Sequence, residues 1–284
     1  MKRVRASQPF NWFATSLAKA CLGASSEWMV KHLPRTGPVK CGLPNGRHIK
    51  LWSLGDDWVS NQVFWRGWRG YEPETTPLFF HLATKARVTL DVGAHVGFYS
   101  LLAAHANPEG KVYAFEPMPF TYSRLQRNIS SNRLANIVAV NSAVGDVDGC
   151  AEFYHGSTTI PCSCGLSSNI FNSDSEVQSF TVPVVALDSF INRERLLNID
   201  LVKIDTETTE LQVLQGMANT LRRDHPDVIC EVWGGPGPAL SNLLSSLGYQ
   251  CYVLGETGPA LYDGTNAREN YLFTTRNIAS ITCR

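Results

Sequence analysis

Asp91-Val92-Gly93-Ala94-His95-Val96-Gly97 follows the apolar run Val88-Thr89-Leu90 and precedes Phe98 to Ala106, whose apolar residues recur at helical spacing. A strand, a glycine-rich turn and a helix in direct succession form the opening unit of an open α/β sheet. Gly93 and Gly97 have no Cβ, so the backbone can turn sharply there and a ligand can come close to the peptide groups.

The same alternation continues outward from this turn. Lys111 to Glu116, Ile137 to Val144, Leu201 to Asp205 and Asp227 to Trp233 read as further strands. Phe120 to Leu134, Glu210 to Arg223 and Ala239 to Leu247 carry helical periodicity. Tyr249 to Leu254 and Asn270 to Thr275 are separated by a Gly- and Pro-containing loop, which predicts an antiparallel C-terminal hairpin. The expected fold is therefore α/β, a doubly wound, mostly parallel sheet of seven strands.

Residues 1–85 read as an N-terminal helical and β cap, on their six tryptophans and the turn signals Pro44-Asn45-Gly46 and Gly55-Asp56. Residues 86–284 are the ligand-binding domain, and residues 150–186, Ser-rich with a β-like run Phe180 to Val185, are an insertion over one end of its sheet, near the active site, whose pocket the insertion and the aromatic cap are expected to shape.

The 284 residues, 44% hydrophobic and 18% charged, suffice for one large core. Twenty-five basic residues balance twenty-five acidic ones, so net charge gives nucleic acid no hold. The eight scattered cysteines include no C-x-x-C pair and suit reduced thiols in a cytoplasmic protein. Cys162-Ser163-Cys164 with His155 has the wrong spacing for zinc, and no metal is expected. Lys2, Arg3 and Arg5 precede an apolar run from Phe10 to Ala24 that Asn11 and Lys19 interrupt. It is too short to span a bilayer; a packed or site-covering amphipathic helix is expected, with a signal segment or a membrane-surface anchor as the alternatives.

Ligands of open α/β sheets bind beyond the carboxyl ends of the strands, where strand order reverses. Asp91 there can face a ligand ammonium. The turn is G-x-x-x-G, not the G-x-G-x-x-G that seats a diphosphate, which argues against a nicotinamide-dependent oxidoreductase. Glu116 ends the second strand and can accept hydrogen bonds from both hydroxyls of a ribose. Ser142 and Ala143 in Asn141-Ser142-Ala143-Val144-Gly145-Asp146 leave room for a planar base, with Ser142 or Asp146 near its edge. Asp205 and Glu207 end the fourth strand and should share the cleft, one of them placed for proton abstraction, although helix capping also accounts for Glu207 and Glu210. Glu231 is an acid in an apolar strand, and a buried carboxylate needs a partner. His95 either acts as a base or shapes the turn.

Together with Gly67-Trp68-Arg69-Gly70-Tyr71-Glu72-Pro73-Glu74, Ala114-Phe115-Glu116-Pro117, Ala186-Leu187-Asp188-Ser189-Phe190 and Lys203-Ile204-Asp205-Thr206-Glu207, the turn resembles the FkbM family of methyltransferases from about Trp65 to Phe273. The resemblance implies a class I methyltransferase fold and S-adenosyl-L-methionine as cofactor. It implies O-methylation of a hydroxyl on a sugar, glycolipid or secondary metabolite, so the expected partner is a small-molecule or glycan acceptor. A non-catalytic module that binds the same cofactor is the alternative. The cofactor set is then Asp91, Gly93, Ala94, His95, Gly97, Glu116, Ser142, Ala143 and Asp205, with Glu72, Tyr71 and Thr75 from the preceding segment; Asp205 and Glu207 are the catalytic candidates. Two positions depart from the family: His95 stands where Asn is common, and Thr208 where Gly is common. If position 208 needs φ > 0, a β-branched residue is strained there.

Overall fold

The computed structural model describes residues 8–22, 27–156, 164–166 and 177–281. The chain opens with helices α1 (Gln8–Leu22) and α2 (Glu27–His32), the strands β1 (Thr36–Gly42) and β2 (His48–Leu54), and helices α3 (Trp58–Arg66) and α4 (Thr76–Ala83). The alternating region runs β3 (Val88–Val92), α5 (Phe98–Ala106), β4 (Lys111–Phe115), α6 (Pro119–Asn132) and β5 (Ile137–Val140). Then come β6 (Ala143–Gly145), β7 (Gly149–Gly156), β8 (Cys164–Gly165), β9 (Val177–Ala186) and α7 (Leu187–Arg193). The chain finishes with β10 (Leu201–Ile204), α8 (Glu210–Gln215), α9 (Ala218–Asp224), β11 (Asp227–Glu231), α10 (Pro238–Ser246), β12 (Gln250–Gly255), β13 (Gly258–Leu261) and β14 (Asn270–Thr274).

The main sheet has the order β13-β12-β14-β11-β10-β3-β4-β5. From β3 the order runs outward through β4 and β5 on one side and through β10 and β11 on the other, so the reversal lies between β3 and β10. Those two strands pair in parallel, with Asp91 opposite Lys203 and Val92 opposite Ile204. Both are buried throughout, as strands covered on two faces must be. β14 enters antiparallel between β11 and β12.

The seven expected strands are present, and an eighth, β13, pairs antiparallel with β12 in what reads as a loop. It is an edge strand with Pro259, and an edge is where proline in a strand is tolerated. The expected third strand divides in two: β5 stays in the main sheet, while β6 pairs with β9 in a second sheet of order β6-β9-β7-β8. The expected helix from Glu210 to Arg223 also divides, at Gly216, where a Cβ would lie 2.0 Å from the Gly145 carbonyl oxygen. This close approach sets the insertion sheet against the helix that follows β10.

The N-terminal segment and the sheet share one apolar core. Val30, Ile49, Leu51, Val63 and Trp65 pack in the same cluster as Leu101, Leu102, Ala104 and Ala114. Asn128 of α6 couples the two by hydrogen bonds, donating to the Val96 carbonyl and accepting from the Trp52 amide. Arg124 of the same helix reaches Asp56 at 3.3 Å.

Among the described residues no helix is long and apolar enough to cross a membrane. The first apolar run does form a helix, α1, but it packs through its polar side, a reversal taken up below. Lys2, Arg3, Arg5, Gly23 and Ala24 lie outside the described residues, as do Cys162 and Ser163.

Candidate active site

The carboxyl ends of β3, β4, β10 and β11 open into a cleft whose void, open solvent at the mouth included, is about 920 Å³. Tyr71, Gly93, His95, Glu116, Ser142, Ala143, Asp205 and Glu207 line it, so the structure gathers eight residues of the expected cofactor and catalytic sets around one space. Thr206, Thr209 and Glu231 add to the polar lining.

Asp91, Ala94, Gly97 and Glu72 do not reach the cleft wall. Asp91 is buried beneath the turn, where its carboxylate accepts a hydrogen bond from the Ser100 hydroxyl. Gly93 has φ +80°, and a Cβ there would lie 1.8 Å from the Asp205 carbonyl oxygen. The missing side chain lets the ends of β3 and β10 touch, in addition to any room it leaves for a ligand. At Gly97, φ +89°, a Cβ would meet Leu125 of α6 at 2.5 Å, so this glycine serves helix packing. His95, φ +50°, is the non-glycine residue of the turn in left-handed backbone. His, like Asn and Asp, enters that region more readily than most residues.

Glu116 is buried at the tip of β4, and each of its oxygens accepts one backbone N–H, from His95 and from Met118, both at 2.9 Å. Burial pushes its carboxyl up to about 7, although both N–H groups act against the shift. Two oxygens fixed in this way keep further lone pairs for a ligand's hydroxyls. The Ser142 hydroxyl, 2.9 Å from the carbonyls of both Ala143 and Pro183, shares its one hydrogen between them, which holds the small-residue wall in place. Asp146 lies outside the cleft, in a neighbouring depression.

The β10 end carries the charge. Asp205 lies 3.7 Å from the ammonium of Lys203, which also lies 3.9 Å from Glu72 and over the ring of Tyr99. Oxygens of Glu72, Asp205 and Glu231 come within 4.8 Å of one another. Burial opposes the Lys203 charge, but Glu72, Asp205 and Glu231 outweigh it and hold the ammonium above its usual range. This internal cation answers the acidic cluster.

Glu72 accepts from the Tyr99 hydroxyl, and burial raises its carboxyl against the pull of Lys203. Burial lifts Glu231 to about 8, with Asp205 adding to the shift, and Glu231 accepts from the Trp233 indole. Glu207 rises to about 8 through burial and then through repulsion by Asp205 and Glu210.

Glu210 closes the turn after β10, accepting from the Thr208 amide at 2.9 Å and from the Thr206 hydroxyl. This is the capping alternative realised at Glu210, while Glu207 faces the cleft. Glu207 has φ +55° and Thr208 φ +94°, so the departure from glycine at position 208 places a β-branched residue in left-handed backbone. Thr75 is buried at the start of α4, away from the cleft.

Sequence reasoning set the aromatic cap and the insertion at the site but named no wall residue. Trp58 and Val59 come from the start of α3, and Phe153 and Leu166 come from the insertion. No motif marks these four residues individually. His155, set aside above as a metal ligand, has its Nδ1 2.8 Å from the Gly156 carbonyl oxygen.

An open parallel sheet with an acidic cleft at its reversal point defines a ligand-binding α/β protein of the doubly wound class. The methyltransferase FkbM domain matches residues 91–251, and the chain belongs to the FkbM methyltransferase family. It is 28% identical over 207 residues to the 31-O-demethyl-FK506 methyltransferase FkbM of Streptomyces tacrolimicus, a match that takes in 64% of this chain and 78% of that protein. It is 27% identical over 175 residues to the hexuronic acid methyltransferase AglP of Haloferax volcanii, covering 61% of this chain and 68% of the relative. A solved FkbM methyltransferase from Methylobacillus flagellatus overlaps 79% of this chain and 56% of its own, with 14% identity and a TM-score of 0.45.

Proposed function

We propose that this chain uses S-adenosyl-L-methionine to methylate a hydroxyl oxygen of a small-molecule or glycan acceptor. The observation that carries the reading is the joining, in one cleft, of a doubly anchored Glu116 with the Asp205 and Glu207 carboxylates. The names of the relatives, a hexuronic acid methyltransferase and a 31-O-demethyl-FK506 methyltransferase, support the acceptor class.

The residues fit such a cofactor. Glu116 has lone pairs left for ribose hydroxyls, Ser142 and Ala143 form a flat small-residue wall, and the Nε2 of His95 is buried without a partner. The oxygens of Glu72, Asp205 and Glu231, gathered within 4.8 Å of one another, offer acceptors to a ligand ammonium. The bound cofactor supplies a methyl group made electrophilic by its sulfonium.

The chain's own part is alignment and proton handling. Asp205, its charge balanced by Lys203, accepts the acceptor hydroxyl's proton as that oxygen becomes nucleophilic. Glu207 is protonated at neutral pH because its carboxyl titrates near 8, and it orients the acceptor as a hydrogen-bond donor. Trp58, Tyr71 and Phe153 exclude water and offer aromatic faces suited to a sugar. Free cysteines at 41, 150, 230 and 251 support work in the reducing cytoplasm.

Calorimetry with S-adenosyl-L-methionine, followed by a screen of acceptors with methyl-labelled cofactor, tests the reading. Asp205→Asn should lower turnover by about 10²–10⁴-fold while leaving cofactor binding largely intact. Glu207→Gln keeps a donor, so its loss should be smaller and the wild-type decline above about pH 8 should vanish. Unchanged turnover in Asp205→Asn removes that residue from the chemistry.

A further inference from the structure

Helix α1 is inside out. Its polar stripe, Asn11, Thr15, Ser16 and Lys19, faces the protein, whereas Trp12, Phe13 and Leu17 are 47%, 60% and 52% exposed. The cause lies opposite the helix. Arg35 is 4% exposed, and its guanidinium donates to the Trp12 carbonyl at 2.7 Å, to Thr15 at 2.8 Å and to Ser16 at 2.9 Å. Asn11 accepts from the Thr36 amide and donates to the Pro34 carbonyl, and Lys19 donates to the Phe64 carbonyl. A buried guanidinium needs acceptors, so the helix turns its polar side inward; the Trp12 ring keeps one face near Arg35, while Phe13 and Leu17 are left outward.

Phe13, Leu17 and Ala20 stand at i, i+4 and i+7, one continuous stripe on the outer surface. Trp28 of α2, 61% exposed, enlarges the apolar surface of this N-terminal segment. The surrounding charge is basic. Residues 1–35 hold six Lys or Arg against the single acid Glu27, while the whole chain is neutral, and Lys2, Arg3 and Arg5 directly precede the helix in sequence. Apolar and tryptophan side chains beside a basic segment suit an anionic bilayer surface, on which such a helix lies in the interface without crossing it.

We propose that this chain docks on anionic lipid membranes through the outward face of α1, with Phe13, Leu17 and Trp12 entering the interface and the preceding basic residues contacting lipid headgroups. The proposal concerns placement and is independent of the methyl-transfer reading.

Co-sedimentation of the full chain with phosphatidylcholine vesicles, with and without phosphatidylglycerol, tests it. Binding is expected on the mixed vesicles and should weaken in high salt. Phe13→Glu with Leu17→Glu should reduce that binding at least about tenfold. Lys2→Gln, Arg3→Gln and Arg5→Gln together should reduce it by a similar factor. Phe13 and Leu17 are exposed, and an unchanged melting temperature in each variant confirms an intact fold. Two results would overturn the proposal: no binding of the wild-type chain to either vesicle, or binding that both sets of substitutions leave unaltered. A third is self-association in light scattering that Phe13→Glu abolishes without any vesicle binding, because the stripe would then join two copies of this chain.

Discussion

The two turns that flank the sheet reversal do related work by opposite means. After β3 the chain relies mainly on glycine: Gly93 and Gly97 take positive φ together with His95, and the turn is further held by Glu116 and Ser100. After β10 there is no glycine, and Glu207 and Thr208 take positive φ themselves while Glu210 ties the loop from below. Both arrangements bring a functional group to the same cleft. The first is built with little backbone strain, whereas the second holds strain of roughly 1–3 kcal/mol at Thr208 and sets two carboxylates side by side. A turn that cradles a ligand gains from being relaxed and fixed, while one that presents reactive acids can be held in place by its surroundings.

Gly93→Ala breaks the comparison most severely, because the two turns touch there. A Cβ 1.8 Å from the Asp205 carbonyl cannot be accommodated without moving one strand end, and φ +80° adds strain. The expected cost is at least about 3 kcal/mol in chemical denaturation, with loss of cofactor binding. A variant that melts and binds like the wild type would show that the strand ends are not in close contact.

Glu116→Gln is next. It removes a charged acceptor, so cofactor affinity should fall by about 1.5–3 kcal/mol in calorimetry. The pH dependence has a fixed sign. The Glu116 carboxyl, raised to about 7, is protonated below that pH, so wild-type affinity should weaken as pH drops from 8 to 6. The variant should lose much of this slope, and an identical slope would assign it to another group. In the ligand-free protein the raised value works the other way: stability is lost as pH rises from the ordinary carboxylate range through about 7.

Thr208→Gly sharpens the contrast with the smallest effect. Relief of strain, partly offset by the entropy of glycine, should stabilise the fold by about 1 kcal/mol, or about 2–4 °C in melting temperature. A lower turnover in the same variant would indicate that the strained loop sets the position of Glu207. No gain in melting temperature would mean that Thr208 sits there without strain.

Most of the central sheet was legible because its strands are apolar on both faces and are punctuated by helical periodicity. The cleft's polar residues were legible too, since Glu116, Asp205 and Glu207 each end a strand. The segments that form its walls were legible, but the wall residues were not. Trp58 and Phe153 are separated by 95 positions in sequence and meet only because α3 and the insertion sheet converge on the same cleft. The division of the expected third strand left only the interruption Asn141-Ser142 in an otherwise apolar run, and the turn of its second half into another sheet follows from pairing with β9.

The Asp91 to Gly97 turn, the strand-end acids and the order of the elements follow from the sequence alone, because spacing fixes which residues follow a strand and which share a helix face. Periodicity does not say which way a face points. That Asp91 lies beneath the turn, that Lys203 answers three carboxylates, and that α1 turns its polar stripe inward were decided by what stands opposite in space. For α1 the deciding residue is Arg35, whose buried guanidinium takes the acceptors that the helix offers.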